Sequence, residues 1–336
     1  MKRHVMGVDF GSTTAKTVIL DLDGKIVSHS VAHMGAVSGN GVKQSMKDAL
    51  DLAGLTQADI GRTVSTGYGR RMLDEADKNY TEITCHARGA VAMVPGARLV
   101  IDIGGQDSKV ISVDSNGLVS QFAMNDRCAA GTGKFLETLA RAMQVDLKEM
   151  GGIALGAQEA LKISSMCATF AETEVISLLA EGKTKPDVLG AVHAAIASRT
   201  MGLVGRVGKK GPVVMTGGVA KNVAAVHHIQ KELGLPLHLP SDPQIAGALG
   251  AALLALDDFR AEHKSAIAAL LADDDAFEAQ MQVDKACAPQ CKGDPILAAA
   301  LAEAKAAPPK PRTPDVADLA VPEGKKSLWQ RIQSHI

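Results

Sequence analysis

The sequence contains one short pattern twice: a strand that ends in aspartate, a glycine-rich turn, and a lysine that enters the next strand. The first copy covers residues 9–16 and the second covers residues 102–109. Small residues in such a turn let backbone N–H groups converge on the oxygens of a phosphate, and the lysine adds a charged donor. One copy alone is equally typical of an ordinary hairpin turn. Two copies predict a pair of hairpins that clamp a Mg-nucleotide from both sides.

A third glycine-rich segment follows the predicted buried strand at residues 212–215. Gly217 and Gly218 come at its end, where flat adenine and ribose can approach the backbone. The sequence has neither a G-x-x-x-x-G-K-[ST] segment nor a G-x-G-x-x-G turn after a strand, so it uses neither the P-loop nor the Rossmann solution. The predicted ATP-binding residues of the three segments are Gly11, Ser12, Thr13, Thr14, Lys16, Gly104, Gly105, Gln106, Asp107, Gly217 and Gly218.

The two aspartates that precede the turns are the candidates for chemistry. Asp9 and Asp102 each end a strand, where a carboxylate can hold Mg²⁺ through water or orient the attacking water. We predict Asp9, Asp102 and Gln106 as catalytic residues and the two aspartates as the Mg²⁺ site. Further along the chain, Lys134 and Glu137 can reach the nucleoside, although they fit equally well as charges on a solvent-facing helix.

The strand patterns show a larger repeat around these turns. Strand, turn, strand, turn and strand follow one another in residues 4–33 and again in residues 98–124. The turn at residues 115–117, Ser-Asn-Gly, is a strong hairpin signal. Between residues 131 and 211 apolar residues recur at helical spacing, which predicts mainly helices. The chain therefore repeats an architecture without repeating a sequence.

Composition restricts the class of protein further. Hydrophobic residues make up 46% and charged residues 22% of the 336-residue chain, which is typical of a folded globular protein. The formal net charge of −1 gives no generic attraction to nucleic acid or to a membrane surface, so we expect neither as a partner. No signal-peptide pattern or uncharged 18-residue apolar stretch is present, and five cysteines are too few for a disulfide scaffold. We expect a cytoplasmic protein.

Two segments each place a cysteine just before a predicted helix. Cys128 belongs to residues 125–137, and Cys167, 39 residues later, belongs to residues 164–174. The positive end of a helix stabilises a thiolate, and thiolates bind iron. Two cysteines cannot hold a cubane cluster, which needs about four thiolates, but a two-fold dimer would supply four. The alternative is that both are ordinary small buried residues.

These segments resemble those of known families. The three glycine-rich segments, in this order, resemble the phosphate-1, phosphate-2 and adenosine segments of the acetate/sugar kinase, Hsp70 and actin superfamily. The two cysteine segments closely resemble the cluster-binding segments of the 2-hydroxyacyl-CoA dehydratase activators and of the ATP-binding subunits of benzoyl-CoA reductases. Residues 65–70, 82–87 and 125–181 agree with that family, and the resemblance covers roughly residues 4–256.

The resemblance implies an α/β fold of two ribonuclease-H-like halves, as in actin and Hsp70, around a nucleotide cleft. We assign residues 1–95 with 236–258 to the first half and residues 96–235 to the second. The Ala- and Pro-rich residues 259–336 form a C-terminal extension. The extension departs from the family pattern, and its role is open.

The resemblance also implies a function. In this family a homodimer, or a pair of homologous ATPase subunits, shares one [4Fe-4S] cluster, for which the ligands here would be Cys128 and Cys167. ATP binding and hydrolysis drive one electron, received from ferredoxin or flavodoxin, to an iron–sulfur dehydratase or reductase component that acts on an acyl-CoA. The implied cofactors are the shared cluster, ATP or ADP, and Mg²⁺. A dehydratase activator and a benzoyl-CoA reductase subunit both remain open, as do the acyl-CoA and the choice between homodimer and heterodimer.

Two other functions fit the same fold. A sugar or acyl kinase would need a catalytic base and a substrate pocket near the γ-phosphate, and no segment is recognisable as either. A nucleotide-dependent scaffold without redox function would leave the two cysteine segments unexplained. Among the other cysteines, Cys85 fits a buried structural role better than half a metal site, and the role of the C-x₃-C pair Cys287 and Cys291 is open.

Overall fold

The computed structural model describes residues 3–35, 38–164 and 167–264 of the chain. The expectations for the C-terminal extension beyond residue 264, including those for Cys287 and Cys291, lie outside the described residues. The described residues as far as 257 belong to one compact unit.

The first sheet contains the first nucleotide turn. Its strands are β1 (His4–Phe10), β2 (Thr14–Asp21), β3 (Ile26–His33), β4 (Ile60–Thr66) and β5 (Lys78–Asn79). Their order is β3-β2-β1-β4-β5, in which β1 pairs antiparallel with β2 and parallel with β4. Helix α1 (Ser38–Ala53) crosses from β3 to β4 and packs on the sheet, and α2 (Glu82–Met93) follows β5.

The second sheet contains the second nucleotide turn. Its strands are β6 (Leu99–Ile103), β7 (Ser108–Val113), β8 (Val119–Asn125), β9 (Val213–Thr216) and β10 (Leu237–His238). Their order is β10-β9-β6-β7-β8, in which β6 pairs antiparallel with β7 and parallel with β9. The helices of this half are α3 (Gly133–Ala142), α4 (Met150–Ala154), α5 (Ala168–Ala180), α6 (Lys185–Val207) and α7 (Val223–Leu233).

The two sheets have one and the same topology. In each, three antiparallel strands are followed by two parallel strands beside the first, which is the ribonuclease-H-like order. The expected α/β fold of two such halves is therefore confirmed. The boundary at residue 236 needs correction, because β10 pairs with β9 in the second sheet. The chain thus leaves the second half after His238, and the other assigned boundaries stay predictions.

Local sequence signals fix the helix ends. The side chains of Thr81, Thr184 and Asn222 accept backbone N–H groups of the first turns of α2, α6 and α7. Gly234 ends α7 in the left-handed conformation at φ 65°, which a residue with a Cβ rarely adopts. The short 3-10 helices in the described residues are Gln57–Asp59, Arg70–Met72, Gly218–Lys221 and Pro243–Ile245.

Helix α6 is the central helix of the second half. It packs against α4, α7, β7 and β8, and Val188, Val192 and Ile196 are fully buried in the core of that half. Among the described residues it is the one helix whose length and hydropathy would suffice to cross a membrane. In this helix, 56% of the apolar 18-residue stretch is buried inside the protein. Its packing is that of a core helix.

Two helices connect the halves. The last helix of the described residues, α8, covers residues 246–264. It lies so close to β1 that a Cβ on Gly7 would collide with the backbone of Ala248 and Ala252. Helix α2 packs against β6, β7 and β8 of the second sheet. The two helices cross where Gly89 of α2 and Gly250 of α8 face each other's backbone without room for a side chain. Each half is thus attached to one member of a tightly packed helix pair.

Candidate functional site

The first nucleotide turn joins β1 to β2. Asp9 and Lys16 are cross-strand partners, and Lys16 Nζ lies 3.1 Å from Asp9 Oδ2. The carboxylate of Asp9 is 3% exposed, at the floor of the turn. Residues 11–14 form the tip, where Ser12 is exposed and Thr13 is half-buried.

The second turn joins β6 to β7 in the same register. Asp102 and Lys109 are cross-strand partners, as Asp9 and Lys16 are, and both are buried. Lys109 Nζ lies 2.6 Å from Asp107 Oδ2 and 3.7 Å from Asp102 Oδ2. Gln106 is exposed at the tip of this turn. The two hairpins therefore share the same cross-strand pair of aspartate and lysine, as the repeated sequence pattern predicted.

The structure brings the two turns into direct contact. A Cβ built on Gly105 would lie 2.7 Å from Thr13 Cβ and would collide with Thr13 Oγ1. That hydroxyl oxygen is buried and has no hydrogen-bond partner within the described residues. Buried polar groups are normally paired. The Thr13 hydroxyl lies between two glycine-rich turns without a partner, so it is suited to donate a hydrogen bond to a phosphate oxygen.

The third glycine segment borders the same place. Gly217 follows β9 with φ 86° and packs against the backbone of Ile103, with no room for a Cβ. Its N–H donates to the carbonyl of Pro243. A Cβ on Gly218 would lie 3.4 Å from the amide nitrogen of Gln244. The third segment therefore adjoins β6 immediately before the second turn, as a nucleoside contact requires.

Helix α2 adds two residues to this region that were not predicted as site residues, although the resemblance covers residues 82–87. His86 Nδ1 lies 3.2 Å from Asp102 Oδ1, and Glu82 Oε2 lies 3.3 Å from Lys109 Nζ. The two residues are four apart and thus on one face of the helix. After β9, Thr216 Oγ1 donates to Asp102 Oδ1 at 2.7 Å. The spacing of Glu82 and His86 was visible in the sequence, but nothing local indicated that α2 packs against the other half.

The charged groups around Asp102 shift one another's pKa values. Burial alone would raise the pKa of Asp102, but His86, Lys109 and the Thr216 hydroxyl outweigh it and hold that pKa well below its usual range. Burial would likewise lower the pKa of Lys109, yet Asp102 and the other carboxylates around it raise the pKa above the ordinary value. Asp102 is therefore a permanent carboxylate at neutral pH.

The nucleoside candidates on α3 occupy its first turns. Lys134 Nζ lies 3.0 Å from Glu137 Oε2, and both side chains are about half exposed. The backbone is closer to the site than the side chains: the N–H groups of Gly133 and Lys134 donate to the carbonyls of Gly104 and Gly105 at 2.9 and 2.8 Å. The start of α3 is thus bonded directly to the second turn.

The two cluster candidates are both exposed. Cys167 is the N-cap residue of α5, as expected. The backbone N–H groups of Thr169 and Phe170, with a contribution from Arg199, lower the pKa of its thiol.

The expectation that Cys128 directly precedes a helix is wrong. Residues 129–132 form a turn, with the N–H of Thr132 on the carbonyl of Ala129, before α3 begins at Gly133. Gly131 has φ 81° in this turn, which interrupts helical geometry. Cys128 therefore lies on a short loop, and Asn125 holds its carbonyl by a hydrogen bond of 2.8 Å.

One arginine of α6 faces both cysteines. Arg199 is half-buried, and its guanidinium carbon lies 5.6 Å from the centre of the Phe135 ring. Burial lowers the pKa of Arg199, and the charges on Cys128 and Cys167 oppose that shift. Arg199 and Cys128 line one open pocket of about 480 Å³. The two cysteine segments, distant in sequence, thus share one electrostatic environment.

These features define the class of the protein: an ATP-hydrolysing enzyme of the actin and Hsp70 fold, with nucleotide between two ribonuclease-H-like halves. More specifically, the chain belongs to the BadF/BadG/BcrA/BcrD ATPase family, whose profile matches residues 6–255. It is 46% identical to the activator of lactoyl-CoA dehydratase from Anaerotignum propionicum, over 76% of this chain and 98% of the relative.

Two further comparisons agree with this membership. The solved structure of the activator of 2-hydroxyisocaproyl-CoA dehydratase from Clostridium difficile, with bound ADPNP, superimposes with a TM-score of 0.75 at 42% identity, over 78% of this chain and 97% of that one. A benzoyl-CoA reductase subunit from Thauera aromatica is 31% identical, over 74% of this chain and 91% of the relative.

Proposed function

We propose that the protein is an ATP-driven electron carrier that delivers one low-potential electron through a [4Fe-4S] cluster shared between two subunits. Cys128 and Cys167 of each subunit would hold the cluster, which supplies the one-electron chemistry when bound. The electron would come from ferredoxin or flavodoxin and pass to an iron–sulfur dehydratase or reductase component that acts on an acyl-CoA. We place this activity in the cytoplasm.

The chemistry of the two cysteines supports a metal site. Both are free and exposed, which is unusual for cysteines that serve only packing. The helix N-terminus favours the thiolate of Cys167, the form that binds iron. Within residues 3–35, 38–164 and 167–264, no group of three or more His, Cys, Asp or Glu side chains is arranged to hold a metal ion. Cys128 and Cys167 supply two thiolates, so a cluster with four would take its other two from a second copy of the chain in this proposal.

The nucleotide residues divide into two roles in this proposal. The turns at residues 11–14 and 104–107 and the pair Gly217 and Gly218 would hold ATP, with Lys134 and Glu137 beside the nucleoside. Asp9 and Asp102 would hold Mg²⁺ through water, and Asp102 with Gln106 would orient the attacking water. The fixed negative charge of Asp102 and the unpaired hydroxyl of Thr13 support this division.

One observation carries the coupling of ATP to the cluster. The N–H groups of Gly133 and Lys134 are bonded to the carbonyls of Gly104 and Gly105 in the second turn, only five residues beyond Cys128. A shift of the second turn around a γ-phosphate would thus move the start of α3 and the Cys128 loop with it. Two sites that share one movable element can be coupled energetically.

The comparisons support a dehydratase activator over a permanent reductase subunit. The identity is 46% to the lactoyl-CoA dehydratase activator and 31% to the benzoyl-CoA reductase subunit. We therefore propose a homodimer that docks on a separate dehydratase component. The family membership also favours this role over a sugar or acyl kinase.

Substitution of the cluster cysteines tests the proposal. Protein purified without oxygen should be brown and contain about two iron atoms per chain, since four would be shared by two chains. Cys128→Ser and Cys167→Ser should each lose the iron and keep the affinity for ATP, because the nucleotide turns are separate segments. Iron content and nucleotide binding are measured on the same preparations.

The matched control is Cys85→Ser, which changes a buried thiol of α2 outside the proposed cluster site. This variant should keep its iron. Full iron in either the Cys128→Ser or the Cys167→Ser variant would refute the ligand assignment.

A further inference from the structure

His86 lies between the acidic residues of the two nucleotide turns. Its Nδ1 is 3.2 Å from Asp102 Oδ1 in the second half, within ion-pair distance but not aligned as a hydrogen bond. Its Nε2 faces the first half: a Cβ on Gly247 would lie 2.9 Å from His86 Nε2 and 3.1 Å from Asp9 Oδ2, so both atoms border one narrow gap. Helix α2 thus brings a single imidazole to carboxylates from both halves.

The two oxygens of Asp102 have different surroundings. Oδ1 accepts the hydroxyl of Thr216 at 2.7 Å and also faces His86. Oδ2 lies 3.7 Å from Lys109 Nζ, beyond hydrogen-bond distance, and that ammonium group is 2.6 Å from Asp107. The carboxylate is therefore anchored through Oδ1, which leaves Oδ2 available for a water molecule.

We propose that His86 is a positioning residue for ATP hydrolysis. Together with Thr216 it fixes the rotation of the Asp102 carboxylate, so that Oδ2 is the atom that holds the Mg²⁺-bound or attacking water. The inference rests on the role proposed above for Asp102. A displacement of about 1 Å in a group that orients a reactant can cost about a hundredfold in rate. Loss of the Nδ1 contact should therefore affect turnover more than nucleotide binding.

Three substitutions separate this role from simple packing. In Asn the side-chain nitrogen takes nearly the place of the imidazole Nδ1, whereas in Gln it takes nearly the place of Nε2. His86→Ala and His86→Gln should lower kcat for ATP hydrolysis by about tenfold to a hundredfold, with KM for ATP within about threefold. His86→Asn should recover most of the rate. If the residue merely filled space, the larger Gln would be tolerated better than Asn, and that order would overturn the proposal.

The adjacent buried residue serves as the matched control. Cys85→Ala removes the sulfur of a buried side chain on the same turn of α2, at a position that does not face Asp102, and kcat should stay within about twofold of the parent. A loss of kcat as large as that of His86→Ala would overturn the proposal, because it would mean that any disturbance of α2 impairs hydrolysis.

A double-mutant cycle distinguishes this inference from the proposed role of Asp102. If His86 acts through Asp102, His86→Ala should cost little further once Asp102→Asn is present. Unchanged hydrolysis in Asp102→Asn itself would refute the role proposed for Asp102. A severe loss in Asp102→Asn together with normal hydrolysis in His86→Ala would refute only the positioning role.

Discussion

The two kinds of thiol in this protein differ because of their surroundings. Cys167 lies at the start of α5, where the N–H groups of Thr169 and Phe170 point at its sulfur. Cys85 is fully buried in α2, and burial raises the pKa of its thiol to about 12. One side chain thus serves as a ligand candidate in one place and as packing in the other.

This difference predicts the pH dependence of alkylation. The pKa of Cys167 lies below the ordinary thiol value, so its thiolate fraction should rise at lower pH than that of a free cysteine. In iron-free protein, iodoacetamide should therefore modify Cys167 already near neutral pH and leave Cys85 unmodified. Peptide mass spectrometry after a pH series gives each site its own curve. A curve for Cys167 that follows a model thiol would contradict the assigned effect of the helix terminus.

Residues whose partners lie nearby in the chain could be predicted from the sequence. The pairs Asp9 with Lys16 and Asp102 with Lys109 follow from hairpin geometry, because a tight turn fixes which residues face each other. Arg199 could not be predicted in the same way. It faces two cysteines from distant parts of the chain, and only the packing of α6 brings them together.

At the scale of elements, the helix pair α2 and α8 is the most constrained contact between the halves. Cβ atoms on Gly89 and Gly250 would each collide with backbone of the opposite helix. Such close approach leaves no room for even a methyl group at this helix crossing.

A single methyl group tests this contact. Gly250→Ala should lower the free energy of unfolding by about 2–3 kcal/mol, because the added Cβ would collide with the carbonyl of Cys85 and force the helices apart. Gly202→Ala is the matched control. Gly202 is an exposed glycine of helix α6 with open space around its Cα, so alanine there should raise stability by up to about 1 kcal/mol. Chemical denaturation of the three proteins measures both differences, and equal stability of Gly250→Ala and parent would show that the helices are not in close contact.

Strands and helices with a regular sequence pattern were predicted well, and those without one were missed. Both antiparallel hairpin sets were expected from turn signals and alternation, and each strand lies within a few residues of its expected position. Helix α2 was not assigned, because its glycine and alanine residues serve helix crossing and give a weak amphipathic pattern. Strand β5, with two residues, is too short for any periodic signal.

At the scale of the molecule, the duplicated sheets explain why the two-half fold was predictable and the individual contacts between the halves were not. Repetition of one hairpin design implied two equivalent halves, and the topology agrees. The way in which the halves meet depends on the contacts of Gly105 with Thr13 and of His86 with Asp102, and each of these contacts joins two different elements. Sequence patterns describe faces of elements, whereas these contacts depend on how whole elements are packed.

The connection from the second turn to Cys128 leads to a prediction for the proposed dimer. If closure of the cleft around ATP moves the start of α3 through Gly133 and Lys134, the cysteine segments of both subunits move with it. An iron chelator should then remove the cluster at clearly different rates in the ADP-bound and ATP-analogue-bound states. We expect faster loss with the ATP analogue, because in the proposed dimer a wider angle between the subunits would expose the cluster. The absorbance of the released iron–chelator complex gives both rates.

Variants outside the path should leave this difference in rates unchanged. Cys85→Ser alters a buried thiol that has no place in the proposed coupling, and Cys287→Ser with Cys291→Ser alters the C-terminal extension. All of them should lose the cluster at the parent rates in both nucleotide states. Equal rates with ADP and with the ATP analogue in the parent protein would mean that the cluster does not respond to the nucleotide. The hydrogen bonds between the second turn and α3 would then be structural only, and hydrolysis would have to act on electron transfer by another route.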